Sequence, residues 1–423
     1  MNSSWKPSRR ELLWAAGGSG VAALAAAAMW PRTPAASPPR QQVPLPYANP
    51  DELGINPHRL QVAYDLLQEW TNGPQAPVPG GAILVGRRGR VVAPRFFGRQ
   101  GPESDAPTIR SDAVFLMASI TKPIVYLAGM MLVERGRLNL SDPVIRYLPE
   151  FSSRPLLGFS KDEVLVSHLF THTSGLPDML PNNAELRREH VPLQRFLDGA
   201  VRETTLAFRP GTQLRYQSMG TAVVAEIVQR LSGTSIAEFL RREIFEPLGL
   251  RSTALGARGL DRQRIVRVQV PDYQANTDFG WNSTYWLELG VPWGGLLTTP
   301  EDFAVLCQLM LSGGAWAGVQ LLSPAAVRMM TTNRLDDLPE LPEPVRRTQP
   351  WGLGWRLNHV GTRETWGDLL GRHVFGHTGA TGTTVWMDPR TEGFCLLLTS
   401  AIRERAPWRL VQLSNAVAAA FVS

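Results

Sequence analysis

The feature that most constrains the fold is the order of strand and helix patterns along the 423 residues. Two short apolar stretches, at 80–86 and 90–97, flank a turn and predict a β-hairpin. Three more strand patterns come near the end of the chain, at 375–379, 383–388 and 393–400. The patterns between these two groups are mainly helical. This order predicts an α+β fold, in which both chain ends build one antiparallel sheet and a helical region is inserted between them.

The predicted elements divide the body of the chain into two lobes. Helical spacing over 57–70 and 408–421 places one helix beside the strands at each end of the body. Residues 52–125 and 345–423 are therefore expected to form an α/β lobe, and residues 126–344 a mainly helical lobe. In the middle of the chain the helical patterns and start signals fall at 122–136, 167–170, 220–232, 235–244 and 300–311.

The first 40 residues have the features of an export signal. Arg9 and Arg10 are followed by two leucines, an apolar stretch over 14–30 and small residues near 35–37. A basic segment, a short apolar segment and small residues in this order are typical of a secretory signal peptide. The paired arginines resemble the twin-arginine type, which exports folded proteins. The sequence thus predicts a periplasmic or extracellular protein.

An uncleaved membrane anchor is the alternative interpretation of this leader. The apolar stretch of 17 residues is at the short limit for a spanning helix and is rich in weakly apolar alanine, so cleavage is favoured. A proline-rich, polar segment follows and predicts a disordered linker that includes residues 41–51. The rest of the chain has no apolar run long enough to cross a membrane.

The net charge of +6 does not indicate a nucleic-acid partner. Residues 1–40 carry five basic residues against Glu11 alone and account for +4 of it, so the body is nearly neutral. Only three of the 43 basic residues are lysines, namely Lys6, Lys122 and Lys161. Each lysine is therefore informative, because a site that needs a removable proton cannot use arginine.

Ser119 and Lys122 form a Ser-x-x-Lys motif at the predicted start of an apolar helix. Residues three apart share one face of a helix, so the lysine can reach the serine hydroxyl. Apolar surroundings lower a lysine pKa, and a neutral amine could take the serine proton during nucleophilic attack. The same four-residue pattern occurs at Ser3 to Lys6 in the leader, so context distinguishes the two.

Two further elements carry candidate site residues. The first is Tyr216-Gln217-Ser218, where the tyrosine could relay protons if neighbouring cations lower its pKa and Ser218 could orient a group. The second is His377-Thr378-Gly379, on a glycine-rich strand edge that backbone and substrate can approach closely. Its imidazole and hydroxyl could hold a polar group.

In this order and with these separations, the three elements closely resemble those of serine β-lactamases, penicillin-binding proteins and family VIII esterases. The class C β-lactamase-like branch is the nearest in pattern. The resemblance runs from about residue 52 to the C-terminus. Stretches that also carry it are Phe170-Thr171-His172-Thr173-Ser174-Gly175-Leu176-Pro177, Phe208-Arg209-Pro210-Gly211-Thr212, Pro247-Leu248-Gly249-Leu250 and Trp293-Gly294-Gly295-Leu296.

This resemblance implies a β-lactamase/transpeptidase-like fold and a covalent acyl-enzyme. Ser119 would attack a carbonyl, and Lys122 and Tyr216 would share the proton transfers. The backbone N–H groups of Ser119 and Ala380 would form the oxyanion hole. Trp293, in a Trp-Gly-Gly triplet similar to a family VIII motif, would bind substrate and favours ester cleavage.

Two departures from the common pattern of these motifs reduce the range of activities that we expect. The second motif more often ends in Asn, where this chain has Ser218. The third motif has His377 where most β-lactamases have a lysine, which removes a cation expected to bind a substrate carboxylate. Efficient β-lactamase activity is therefore not expected.

Metal and cofactor chemistry is not indicated by the sequence. His168 and His172 are four apart but lack the Glu of a zinc-protease motif, so structural roles are expected. A P-loop and a Gly-x-Ser-x-Gly elbow are missing as well. Cys307 and Cys395 lie in apolar runs typical of buried thiols, and a disulfide between them stays open.

Two classes of function fit these observations. The first is a serine hydrolase, most like a family VIII carboxylesterase, with a D-amino-acid peptidase (DD-carboxypeptidase) or weak β-lactamase as alternatives. The second is a non-catalytic relative that binds cell-wall peptide. Because a pure binder does not need a nucleophile and a base together, the enzyme is favoured. The expected partner is a small ester, amide or D-peptide, and the oligomeric state stays open.

Overall fold

The computed structural model describes residues 44–73, 75–152, 158–361 and 366–422. The predicted export signal over residues 1–40 lies outside the described residues. The strands are β1 (Gly80–Arg87), β2 (Arg90–Val91), β3 (Arg95–Gly98), β4 (Phe115–Leu116), β5 (Ala254–Leu255), β6 (Leu296–Thr298), β7 (Ala315–Trp316), β8 (Val319–Gln320), β9 (Arg356–Leu357), β10 (Phe375–Gly379), β11 (Thr383–Asp388) and β12 (Gly393–Thr399).

The helical patterns of the sequence correspond to helices in the described chain, with small differences at their ends. The α-helices are α1 (Pro57–Thr71), α2 (Thr121–Glu134), α3 (Val166–Phe170), α4 (Asn183–Arg188), α5 (Leu193–Arg202), α6 (Met219–Ser232), α7 (Ile236–Leu240), α8 (Thr284–Leu289), α9 (Pro300–Leu311), α10 (Pro324–Thr331), α11 (Glu343–Thr348) and α12 (Pro407–Ala420). A π-helical turn, Arg241–Phe245, continues α7.

The main sheet joins the two ends of the body, as the sequence predicts. Its strand order is β2-β1-β12-β11-β10-β9, with β3 also paired to β1, and every pair is antiparallel. The central pair is β1 with β12, in which Gly81 lies opposite Thr399 and Arg87 opposite Gly393. The predicted α+β fold with an inserted helical region is confirmed.

Helices cover both faces of this sheet. On one face α1 and α12 pack together, and Leu67 and Val417 lie in one core with Ile83 and Val85 of β1. Helix α9 packs on the other face, against β1 and β12. Because both faces are covered, all eight residues of β1 are buried, which explains why this strand is apolar without alternation.

The predicted strand over 90–97 is two short strands in the structure. β2 and β3 both pair with β1, so that Val91 lies opposite Gly86 and Arg95 opposite Ile83. The residues between them leave the ladder at Pro94, which has no N–H to donate to a neighbouring strand.

Part of the predicted linker lies against the sheet. Tyr47 forms a parallel bridge with Val91, and the Val91 N–H donates to the Pro46 carbonyl at 3.0 Å. Leu45 is buried. These backbone hydrogen bonds to a distant strand hold residues 46–48 in place, which the high proline content of the segment does not reveal.

Both cysteines of the chain are free, buried thiols, as their apolar neighbours predict. Within the described part of the chain, no helix is both long enough and apolar enough to cross a bilayer.

Candidate active site

Ser119 lies in a strained turn between β4 and α2. A single 3-10 turn, Ala118–Ile120, precedes α2, and Ala118 has a φ of 47°, in the left-handed region that residues other than glycine seldom adopt. Thr121 holds this turn, because its Oγ1 donates to the Ala118 carbonyl at 2.6 Å and accepts from the Leu296 N–H at 2.9 Å. Such strain persists only where surrounding bonds enforce it.

Lys122 lies beside Ser119, as the Ser-x-x-Lys spacing predicts. Its Nζ is 3.1 Å from the Ser119 Oγ and 3.0 Å from the Trp293 carbonyl, and the side chain is only 1% exposed. Burial lowers the pKa of Lys122 to about 7, while the negative charge of Asp178 acts in the opposite direction. The predicted effect of burial is confirmed, and a large share of this amine is neutral at pH 7.

Tyr216 contacts both members of this pair. Its hydroxyl lies close enough to Ser119 for that side chain to act on the Tyr216 pKa, and the Lys122 Nζ lies 4.7 Å from the centre of its ring. The condition considered for a relay, a pKa lowered by neighbouring cations, is not met, because the lowering by the charge of Arg403 is smaller than the effect of burial. Although Tyr216 is 37% exposed as a residue, burial of its hydroxyl end raises the pKa above its ordinary value.

Ser218 is buried and bonded to an aspartate that the sequence analysis missed. The Ser218 Oγ donates to the Asp178 Oδ1 at 2.6 Å. The charge of Asp178 in turn acts on Lys122 and Tyr216. Ser218 therefore fixes a carboxylate beside the amine. No sequence signal marked Asp178, apart from its position directly after the Phe170-to-Pro177 stretch that carries part of the family resemblance.

His377 is a neutral, buried histidine on β10. Its Nδ1 lies 2.7 Å from the Thr378 carbonyl, and because a carbonyl only accepts, Nδ1 carries the proton. Burial and the positive charges of Lys122, Arg356 and Arg403 lower its pKa to about 3. Its Nε2 has no hydrogen-bond partner among the described residues. His377 can thus accept a hydrogen bond but offers no cation to a carboxylate.

The end of β10 packs directly against the backbone of the Ser119 turn. Thr381 Oγ1 donates to the Leu116 carbonyl at 2.7 Å, and Thr383 Oγ1 donates to the Met117 carbonyl at 3.1 Å. A Cβ placed on Gly379 would lie 2.4 Å from the Met117 carbonyl oxygen and 2.2 Å from the Thr383 Oγ1. The third motif ends in glycine because only glycine permits this approach.

The variant Gly379→Ala is therefore expected to lower the free energy of unfolding by about 1–3 kcal/mol, because the added methyl overpacks against backbone. Urea unfolding followed by circular dichroism measures this. The matched control is Gly294→Ala at the same site, where an added Cβ would meet no atom closer than 3.8 Å. Equal stability of the two variants would contradict the close approach.

The site opens into a cavity of about 550 Å³ with largely aromatic walls. The aromatic residues that line it, besides His377, are Tyr216, Tyr273, Trp281, Trp286, Trp293, Trp351 and Trp366. Positive charge comes from Arg187, Arg356 and Arg403, and negative charge from Asp178 and Glu404. This composition suits a mainly apolar substrate with a few polar groups.

Nearly all the residues predicted for the site line this cavity. Ser119, Lys122, Tyr216, Ser218, Trp293, His377, Thr378 and Ala380 do so. Gly379 does not line the cavity, but it packs closely against the Met117 carbonyl and the Thr383 side chain. The part of Trp293 that binds Lys122 is its carbonyl, while its indole Nε1 has no hydrogen-bond partner among the described residues.

The histidines considered for zinc have structural contacts. His168 Nδ1 accepts from the Leu165 N–H at 3.1 Å, and His172 Nδ1 accepts from the Gln217 N–H at 3.3 Å. The ring of His172 also lies 4.6 Å from that of Tyr216 and helps to place it. Over the described ranges, no group of three or more His, Cys, Asp and Glu residues could hold a metal ion.

The geometry permits nucleophilic acyl chemistry. A hydroxyl, a buried amine with a lowered pKa and a neutral phenol meet at one end of an aromatic cavity. The amine can donate to the Trp293 carbonyl and keep its lone pair for the Ser119 proton.

Proteins of similar sequence include a candidate D-alanyl-D-alanine carboxypeptidase of Escherichia coli O157:H7. It is 26% identical to this chain over 377 residues, which cover 82% of this chain and 83% of the relative. A protein of the same name from Salmonella agona is 25% identical over 376 residues, with the same shares of the two chains covered.

Solved structures of the same fold include proteins of several activities. A penicillin-binding protein homologue from Caulobacter crescentus has a TM-score of 0.66 at 22% identity, covering 86% of this chain and 98% of the other. A family VIII carboxylesterase has a TM-score of 0.66 at 18% identity, covering 85% and 98%. The D-amino acid amidase of Ochrobactrum anthropi SV3 has a TM-score of 0.61 at 19% identity, covering 84% and 98%.

The family model described as Beta-lactamase matches residues 66–419, which is most of the chain and includes every predicted site residue. With the fold and the relatives in agreement, this chain belongs to the β-lactamase family of serine hydrolases.

Proposed function

We propose that this protein is an exported carboxylesterase that works through an acyl-enzyme on Ser119, with Lys122 as the general base. The observation that carries the proposal is the buried Lys122, with a pKa lowered to about 7 and its Nζ 3.1 Å from the Ser119 Oγ. A base poised near neutral pH and in contact with a hydroxyl is what activation of a serine requires.

The first half-reaction transfers the acyl group to the serine. The Lys122 amine takes the Ser119 proton as the Oγ bonds to the ester carbonyl carbon. The tetrahedral intermediate then collapses, and the leaving alkoxide departs with a proton passed from Lys122 through the Tyr216 hydroxyl, which contacts Ser119. A raised pKa suits Tyr216 to this relay role, because the phenol stays protonated before and after the transfer.

The second half-reaction releases the acid. Water gives a proton to the same amine and attacks the acyl-enzyme, and Ser119 leaves with that proton. In both steps the N–H groups of Ser119 and Ala380 stabilise the developing oxyanion. The close packing of β10 on the Ser119 turn supports this assignment, since a Cβ on Gly379 would lie only 3.2 Å from the Ala118 Cβ.

Three features of the site favour an ester. The cavity walls are rich in aromatic side chains, which suit an apolar acyl group. His377 is neutral and lacks the fixed charge expected for a β-lactam carboxylate. Ser218 is bonded to Asp178 and is not free to hold an amide. We therefore propose ester hydrolysis, and not β-lactam hydrolysis, as the main activity.

A D-amino-acid carboxypeptidase is the second candidate, because two arginines lie in the same cavity. Arg356 and Arg403 both line it, and either could bind the terminal carboxylate of a peptide. The names of the relatives of similar sequence support this candidate. Export through the twin-arginine-like leader over residues 1–40 is part of the proposal for either activity.

The test compares an ester with a D-peptide on the same preparation. Turnover of p-nitrophenyl butyrate is measured by absorbance, and release of D-alanine from a D-alanyl-D-alanine peptide by chromatography. We expect kcat/KM for the ester to exceed that for the peptide at least about tenfold, with a butyryl group found on Ser119 by mass spectrometry after acid quenching. The reverse ratio would replace the esterase by the carboxypeptidase.

A further inference from the structure

Arg187 is a buried arginine whose position has no explanation in the acyl chemistry. It lies on α4, is 5% exposed and lines the same cavity as Ser119. Its Nε and Nη2 both donate to the Phe279 carbonyl, at 3.2 and 2.6 Å, and its guanidinium lies 4.2 Å from the centre of the Trp286 ring. One side of the guanidinium is thus held by backbone and aromatic groups.

The positive charge of Arg187 has no acidic partner within the described ranges. No carboxylate among those residues lies within ion-pair distance of it, and Nη1 has no hydrogen-bond partner there. By contrast, the more exposed Arg230 binds Glu150 at 2.6 Å. Burial of Arg187 is the main cause of its lowered pKa. An uncompensated buried cation is unfavourable unless an anion binds there.

The surroundings of Arg187 fit a ligand that enters from the cavity. Asn183 lies one helical turn earlier on α4 and also lines the cavity, so its amide shares a face with the guanidinium. The acidic residues of the cavity lie elsewhere. Asp178 acts on Lys122 and Tyr216 and is not among the charges that shift Arg187.

We propose that Arg187 binds a carboxylate on the substrate at a distance from the bond that is cleaved. Nε and Nη2 of Arg187 already donate to Phe279 and Gln274, so the two N–H groups of Nη1 are the ones that can donate to a carboxylate, and such charge-assisted bonds are strong where water is excluded. This proposal rests on the proposed function of Ser119. It assigns the substrates to a class of esters that carry a carboxylate group elsewhere in the molecule.

The test uses pairs of esters that differ in that charge. Mono-p-nitrophenyl glutarate is compared with p-nitrophenyl valerate for a charge on the acyl side, and 4-carboxyphenyl butyrate with phenyl butyrate for the leaving-group side. For one of these pairs, we expect a preference for the charged ester of about tenfold in kcat/KM, which Arg187→Met abolishes. Arg187→Lys should keep part of it, because the charge remains.

Arg188→Met is the matched control, since Arg188 is the next residue on α4 and is exposed. We expect it to leave both ratios unchanged. If Arg187→Met lowers charged and neutral esters equally, Arg187 only supports the fold and the proposal is overturned. The same conclusion follows if neither pair shows a preference that depends on Arg187.

Binding to an inactive protein separates this proposal from the proposed function. The four esters are titrated by calorimetry into Ser119→Ala, with and without Arg187→Met. We expect the charged ester to bind about tenfold more weakly when Arg187 is lost. Residual turnover by Ser119→Ala would count against the proposed function, whereas equal affinities of the two inactive variants for the charged ester would reject the carboxylate site by itself.

Discussion

Ser119→Ala is expected to lower kcat for p-nitrophenyl butyrate by at least about ten-thousandfold, because the proposed acyl-enzyme forms on the hydroxyl that this variant lacks. Alanine fits the turn, since the neighbouring Ala118 carries the positive φ and Thr121 still holds the backbone. The folded structure should therefore be kept. Stopped-flow absorbance measures turnover, and thermal unfolding of both proteins checks the fold.

A matched control tests whether the loss of turnover is specific to Ser119. Ser218→Ala removes another serine of the same cavity, which is buried, binds Asp178 and is not the proposed nucleophile. We expect that variant to keep at least about a tenth of the wild-type turnover, because only the position of Asp178 changes. Full activity of Ser119→Ala in a folded protein would refute the acyl-enzyme at this residue.

The local part of the site could be predicted from the sequence because helix geometry determines it. Ser119 and Lys122 are three residues apart at a helix start, and the structure places their side-chain atoms 3.1 Å apart. The apolar residues around them also predicted the lowered pKa of Lys122. The glycine of the third motif was a second local signal, since close backbone approach restricts a position to one residue type.

Contacts between distant segments could not be predicted in this way. Asp178 reaches Ser218 across 40 positions, and no periodicity links the two. Arg187 meets Phe279 across 92 positions. The direction of the Tyr216 pKa shift could not be predicted either, because it is set mainly by burial, which follows from tertiary packing.

In the fold, too, features set by neighbouring residues could be predicted and contacts between distant segments could not. Strand patterns at both ends of the body predicted one sheet, because each pattern is carried by neighbouring residues. The pairing of Tyr47 with Val91 depends on a distant strand instead, whereas the break between β2 and β3 falls at Pro94, a local signal that the prediction of one strand over 90–97 overlooked. The short strands β4 to β6, which hold the Ser119 turn through the Leu296 carbonyl, contain two or three residues each and carry too little pattern to be detected.

Lys122→Arg is expected to lower kcat/KM at least about a thousandfold, since arginine stays protonated and cannot take the Ser119 proton. In the wild type, kcat/KM should rise about tenfold per pH unit below pH 7 and level off above it, as the Lys122 amine loses its proton. His377, with a pKa lowered to about 3, does not titrate in this range. Lys161→Arg at the second buried lysine is the matched control and should keep the wild-type profile. If kcat/KM of folded Lys122→Arg still rose with pH below pH 7, the general base would be another group.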